Sequence, residues 1–229
     1  MDAQIPQSGF VVWITGMNGS GKSTLAAYLA KRLTAAGRPI ELIDTDDPEN
    51  PLTKGLGASR EDRDTAVRRV GYTVKMVARA GGAAIVASLS PYREPREQLR
   101  REIRRFVEVF VDAKMEVLQK RDPIYRRALA GDVKNVPGVD APYEPPTHPD
   151  VMVKTDEEPV EVAAKRIFQT LVDVKYLATA DFMRLTGGEK PKRARPAAAR
   201  AGARRKLAAK AAARKAPKKV AARARNKRR

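Results

Sequence analysis

Gly16-Met17-Asn18-Gly19-Ser20-Gly21-Lys22-Ser23, the octapeptide GMNGSGKS at residues 16–23, decides the fold. The apolar run Phe10-Val11-Val12-Trp13-Ile14 precedes it, and Thr24-Leu25-Ala26-Ala27-Tyr28-Leu29-Ala30 follows with a helical pattern. Gly16, four residues, then Gly21-Lys22-Ser23 is the spacing of a Walker A phosphate loop. Glycines let the backbone turn tightly and aim its N–H groups at a polyphosphate. The start of the next helix adds unsatisfied donors and the positive end of its dipole. Lys22 reaches the terminal phosphates and Ser23 offers a hydroxyl to Mg²⁺. The stretch therefore reads as a cradle for a nucleoside triphosphate, built from Gly16, Asn18, Gly19, Ser20, Gly21, Lys22, Ser23 and Thr24.

Outward from the loop, strands alternate with helices. Phe10 to Thr15 is apolar at nearly every position, as a parallel strand buried on both faces must be. The helix after the loop runs to about Ala36, ended by Gly37 and turned by Pro39. Ile40 to Asp44 reads as a second strand ending in a carboxylate. A polar loop reaches about Ala58, and Ser59 then stands as an N-cap with Asp62 three residues on. That helix runs to Ala80, where Gly81-Gly82 stops it. Ala83 to Leu89 is a third strand, followed by a helix opening near Pro95 and carrying Arg96, Arg100, Arg101 and Arg104. Phe106 to Val111 is a fourth strand, Met115 to Arg121 a short helix, and Asp122 to Pro149 a proline-rich loop. Val151 to Val153 makes a fifth strand. Pro159 opens a last amphipathic helix with Val162, Ile167, Leu171 and Val174 on its apolar positions. The expected fold is α/β, a parallel sheet of about five strands with right-handed crossovers and helices on both faces.

The 229 residues contain no cysteine, which excludes disulfides, thiolate metal sites and cysteine nucleophiles. Met1 to Ser8 lacks the features of a secretion signal, and no apolar run approaches the roughly 20 residues that span a bilayer. A cytoplasmic protein with no membrane partner is the expectation. The formal net charge of +19 is unevenly spread. From Gly188 onward, 18 Lys and Arg face the single carboxylate of Glu189, whereas the residues before it carry 28 basic and 26 acidic groups. Two parts follow, a nearly neutral body at 1–187 and a Lys/Arg/Ala/Pro-rich tail at 188–229. The tail has no aromatic residue and cannot bury a core, so its composition predicts disorder. Its physical partner is a polyanion, with nonspecific, salt-dependent nucleic-acid binding favoured and a nucleoid association as the corollary. Anionic membrane, polyphosphate, or mere solubility are the other readings.

Further stretches, LIDTDD (42–47), GLGASREDRD (55–64), VASLSPYREPR (86–96), FVEVFVDA (106–113), KRDPIYRRALAGDV (120–133) and GVDAPYEPP (138–146), together resemble the adenylylsulfate kinases. Those enzymes phosphorylate adenosine 5′-phosphosulfate (APS) on its ribose 3′-hydroxyl. The resemblance covers roughly residues 8 to 177 and implies a P-loop kinase fold with a mobile lid, ATP and Mg²⁺, a nucleotide acceptor, and a homodimer as one assembly. It implies Lys22, Asp44, Asp46 and Ser90 as catalytic residues, with Ser23 and Asp44 at the metal. Asp46, Arg63, Leu89 and Ser90 would meet the acceptor. Arg121 and Arg126, with Arg127, would neutralise charge or contact the ATP from the lid. Chemically, Asp44 or Asp46 could hold Mg²⁺ through water or take the acceptor's proton, and a guanidinium at Arg63 suits a phosphosulfate. Solvated loop acids and a plain surface arginine are the bland alternatives. Ser90-Pro91 is also an ordinary strand exit, and His148 has no assigned role.

Departures from that family gather on the acceptor side. Asp47-Pro48-Glu49 stands where Asn-Val-Arg is usual, Ala58 replaces an aromatic, and Ala66 an asparagine. The lid passes from Pro123 directly to Ile124-Tyr125 without the usual Lys-Gly, and Val136-Pro137-Gly138 replaces Phe-Thr-Gly. An aromatic stack on a base contributes about 1–3 kcal/mol, so its loss matters, and Glu49 adds repulsion unless it turns away. Transfer to the APS 3′-hydroxyl in sulfate assimilation is the leading expectation. A kinase of the same fold with another nucleotide-linked or phosphorylated acceptor is the second, and a non-catalytic nucleotide-binding module presenting a DNA-binding tail the third.

Overall fold

A computed structural model describes residues 9–188. Strands β1 (Phe10–Thr15), β2 (Ile40–Asp44), β3 (Ala83–Ser88), β4 (Phe106–Asp112) and β5 (Val151–Lys154) form one sheet in the order β2-β3-β1-β4-β5. Every pairing is parallel, with Phe10 opposite Ala83 on one side of β1 and Val11 opposite Phe106 on the other. The helices are α1 (Lys22–Ala35), α2 (Arg60–Arg79), α3 (Arg93–Glu102), α4 (Met115–Arg121), α5 (Ile124–Leu129), α6 (Val160–Asp173) and α7 (Thr179–Leu185).

The alternation of side chains along β1 explains the two layers. Phe10, Val12 and Ile14 pack into a cluster with Leu25, Leu29 and Leu33 of α1, Ile167 and Phe168 of α6, and Phe182 of α7. Val11 and Trp13 point the other way, into Val67, Val70 and Val74 of α2 and Leu99 of α3. All six β1 residues are buried, which is why that stretch tolerates no polar alternation. A small third cluster holds Leu118, Tyr125 and Val136 beneath the expected lid.

The expected strands are all present, and Ser59 caps α2: its Oγ accepts from the Asp62 N–H at 3.1 Å and donates to the Asp62 carboxylate at 2.9 Å. Four details differ. The stretch expected as loop contains α5, a single turn and a half begun by Pro123. A further helix, α7, follows the one expected to be last. Helix α3 ends at Glu102, because Ile103 turns extended and buries its side chain, so Arg104 lies beyond it. Val162 is 47 % exposed, off the buried stripe of α6. Among the described residues no helix is long and apolar enough to cross a membrane. The basic tail expected at 188–229 lies, but for Gly188, outside the described residues.

Candidate active site

The phosphate loop leaves β1 at the centre of the sheet, at the carboxyl ends of the strands where such folds bind ligands. Gly16 is required by contact: a Cβ there would sit 2.4 Å from the Val111 carbonyl oxygen of β4. Gly21 is required by conformation, with φ of 91° directly before α1. No side chain caps α1 and its own first turn holds no acid to offset its positive end. Asn18 Oδ1 and Ser20 Oγ are buried in the loop with no hydrogen-bond partner among the described residues. Buried polar atoms are rarely left so; the Ser20 hydroxyl can donate to an anion seated in the loop, whereas the Asn18 amide oxygen can only accept.

Lys22 is only 3 % exposed, yet its ammonium touches just the Met17 carbonyl at 3.2 Å and Asp46 Oδ2 at 3.1 Å. Asp46 is 43 % exposed and held by its own neighbour, its N–H donating to Asp44 Oδ1 at 3.0 Å. Asn50, buried, donates to the Asp44 carbonyl at 2.7 Å and so fixes the turn after β2.

Two cavities open on either side of this pair. A cavity of about 580 Å³ is lined by Gly19, Gly21 to Leu25, Arg121, Asp122, Thr155 and the start of α6. A second, of about 320 Å³, is lined by Asp46, Lys54, Arg63, Ala66, Leu89 and Ser90, among others. Asp46 borders both.

Around the first cavity, Thr155 Oγ1 donates to the Ser20 carbonyl at 2.8 Å and accepts from Arg121 at 2.8 Å, while Arg121 also reaches the Thr155 carbonyl at 3.0 Å. Tyr125 of α5 is fully buried and donates to the Asn18 carbonyl at 2.9 Å. Burial drives its phenol pKa well upward, helped by Asp122, so it stays neutral.

Around the second, Arg63 donates to the Ala58 carbonyl at 3.0 Å and to the Asn135 carbonyl at 2.7 Å, tying α2 to the loop after α5. Burial lowers its guanidinium pKa, opposed by Tyr92 and Asp46. Ser90 is buried with φ of 30°, left-handed for a non-glycine residue. Its Oγ accepts from the Trp13 indole N–H at 3.1 Å and donates towards Thr15 Oγ1 at 3.0 Å. Thr15 in turn donates to the Leu89 carbonyl at 3.1 Å and lies 2.9 Å from the Tyr143 hydroxyl. The Ser90 oxygen is thus fully engaged, and Ser90 with Leu89 forms a wall.

Of the residues singled out in the sequence, Gly19, Gly21, Lys22, Ser23, Thr24 and Arg121 line the first cavity, and Arg63, Leu89 and Ser90 the second. Gly16, Asn18 and Ser20 build the loop behind them. Asp44 and Arg126 line neither: Asp44 braces the turn of Asp46, and Arg126 is exposed on α5. Glu49 is exposed and lines neither cavity, and its carboxylate pairs at 3.0 Å with Lys54, which does line the second. Thr15, Lys54 and Thr155 enter the site unannounced by any motif, and Tyr125, inside the KRDPIYRRALAGDV stretch, enters without having been assigned a role. Among the described residues no three His, Cys, Asp or Glu gather as a metal-binding group. A Mg²⁺ that travels with nucleotide phosphates needs only one or two protein oxygens, and the exposed Ser23 hydroxyl on the first cavity fits that requirement.

A phosphate loop on the middle strand of a five-stranded parallel sheet, with a second cavity across one shared carboxylate, defines a P-loop kinase. The family model described as adenylylsulphate kinase matches residues 8–154. A curated adenylyl-sulfate kinase of Rippkaea orientalis is 42 % identical over 174 residues, 75 % of this chain and 96 % of its own length. A probable bifunctional SAT/APS kinase of Sorangium cellulosum is 45 % identical over 172 residues, of whose length the chain spans only 30 %. The solved APS kinase of Mycobacterium tuberculosis in complex with AMPPNP and APS is 32 % identical with a TM-score of 0.68, covering 73 % of this chain and 99 % of that one. The chain belongs to the adenylylsulfate kinase family.

Proposed function

We propose that this chain transfers the γ-phosphoryl group of ATP to the ribose 3′-hydroxyl of APS, giving 3′-phosphoadenylylsulfate and ADP. The carrying observation is Asp46, which borders both cavities and pairs with the buried Lys22 at their junction. The larger cavity takes ATP, whose phosphates meet the loop N–H groups, Lys22 and Arg121. The smaller takes APS against Leu89, Ser90 and Arg63, with Lys54 at its rim. Asp46 orients the 3′-hydroxyl and accepts its proton as the new O–P bond forms and the bond to the ADP oxygen breaks. Lys22 offsets the charge moving onto that leaving oxygen. Ser23 would hold Mg²⁺, which when bound neutralises phosphate charge, and Asp44 acts through the turn that sets Asp46.

Incubation with Mg-ATP and APS, following ADP release and product formation, tests the reading with Lys22→Ala as control. Turnover dependent on APS is expected for the wild type only. ATP binding without any APS-dependent turnover would overturn it. For the residues beyond Gly188 we propose nonspecific nucleic-acid binding, on charge alone. Full-length protein should bind DNA at low salt and release it at high salt, and a chain ending at residue 187 should not bind. Equal affinity of the two would refute this.

A further inference from the structure

We propose that Arg96 is a positioning residue for the acceptor wall, holding the Ser90 turn and the loop at Glu144 in one rigid frame; the inference rests on the reading that APS occupies the smaller cavity. Arg96 lies in α3, is 1 % exposed, and does not line that cavity. Its guanidinium is nonetheless shared among three backbone carbonyls. One terminal nitrogen donates to the carbonyls of Ser90 and, at 2.9 Å, Tyr92, and the other to Glu144 at 2.6 Å. Its Nε donates to Glu108 Oε1 at 3.0 Å.

Glu108 fixes the arginine and is itself fixed. Its second oxygen accepts from Arg100 at 3.0 Å, and Arg100 also meets Asp150 at 2.9 Å. The Glu108 N–H donates to Asp150 at 2.9 Å, so two cations and two carboxylates run from the cavity wall to the start of β5. The loop is tied to the wall a second time: Glu144 donates its N–H to the Pro91 carbonyl at 2.8 Å and accepts from the Arg93 N–H at 2.8 Å.

Stability alone gives no reason for this arrangement, because a buried ion pair roughly breaks even against well-packed apolar side chains. What an apolar residue cannot do is bind carbonyls from two chain segments at once, and a lysine lacks the planar fork. The Ser90 backbone needs such a hold, since a non-glycine residue in left-handed conformation persists only when its surroundings over-determine it. Without the Arg96 contact, the Ser90 turn relaxes, the hydrogen bonds to Trp13 and Thr15 shift, and the Leu89-Ser90 wall moves.

Trp13 is the only tryptophan of the chain and reports on that wall directly, through its indole N–H on Ser90 Oγ. In Arg96→Met we expect an altered Trp13 emission, an APS KM raised about tenfold or more, and an ATP KM within about twofold of wild type, since no Arg96 contact reaches the donor cavity. Arg96→Lys should stay impaired for APS, because charge without the fork does not restore the three carbonyl contacts. Should Arg96→Met not fold, Glu108→Gln, which keeps the shape and weakens the hold on Arg96, carries the test with the same split in smaller measure. Unchanged emission with unchanged APS KM, full rescue by lysine, or an equal rise of both KM values would each overturn the proposal. If the wild type does not turn over APS the functional reading fails, and the Trp13 emission of Arg96→Met in the unliganded protein still decides whether Arg96 holds the wall.

Discussion

Lys22 and Asp46 sit 3.1 Å apart, one buried and one half-exposed, at the only point shared by two cavities of the described molecule. Asp46→Asn keeps the shape and removes the carboxylate proposed as base, so kcat should fall about a hundredfold or more with ATP binding changed only slightly; single-turnover kinetics beside nucleotide titration checks this. Thr155→Val removes the donor to the Ser20 carbonyl, a loss on the order of 1–3 kcal/mol when a buried group is left unpaired, and one of the two contacts by which Thr155 holds the exposed Arg121. The expected outcome is a clear rise in ATP KM with APS KM unmoved. Glu49→Gln is the opposite kind of change. An exposed pair with Lys54 contributes about 0–1 kcal/mol, so APS KM should move by less than about fivefold in steady-state assays. A large fall in APS KM would instead mean that Glu49 does repel the acceptor.

At the scale of elements, α7 shows how a short helix can matter. Phe182 and Leu185 drop into the core beside α1 and α6, and Arg32 of α1 donates to the Leu185 carbonyl at the helix end. Phe182→Ala should cost about 3–5 kcal/mol, read as a lowered denaturation midpoint. Neither α5 nor α7 was legible in the sequence, because six or seven residues give too few turns for a period to declare itself. The sheet was legible for the converse reason: β1 and β3 are buried on both faces and read as nearly continuous apolar runs, and β4 is apolar between its two carboxylates, Glu108 and Asp112. The phosphate loop was legible because its chemistry is local and its spacing fixed. Thr155 and Tyr125 reach it from 135 and 107 residues away, through contacts that no local pattern encodes. Glu108 is similar: one carboxylate inside FVEVFVD looks like an outward position until Arg96 and Arg100 are seen to enclose it.

For the molecule as a whole, two tyrosines make stability fall at high pH. Burial raises the pKa of both Tyr125 and Tyr143 above the ordinary 10.0. In the unfolded chain they ionise near 10, while in the fold they remain neutral, so the unfolded state sheds protons first. Their contribution is complete below pH 10 and is lost as pH rises beyond it, each adding a slope of up to about 1.4 kcal/mol per pH unit. Chemical denaturation across that range should show the slope, and Tyr143→Phe should lessen it. The placement of β1 has a different consequence. Amide hydrogens of the central, fully buried strand should exchange with solvent only through global opening, whereas β2 at the sheet edge and the turns after it exchange through smaller excursions. The donor cradle is spliced onto the former and the acceptor wall leans partly on the latter. Under mild denaturant the chain should therefore lose its grip on APS while still protecting itself around ATP, forgetting one substrate before the other.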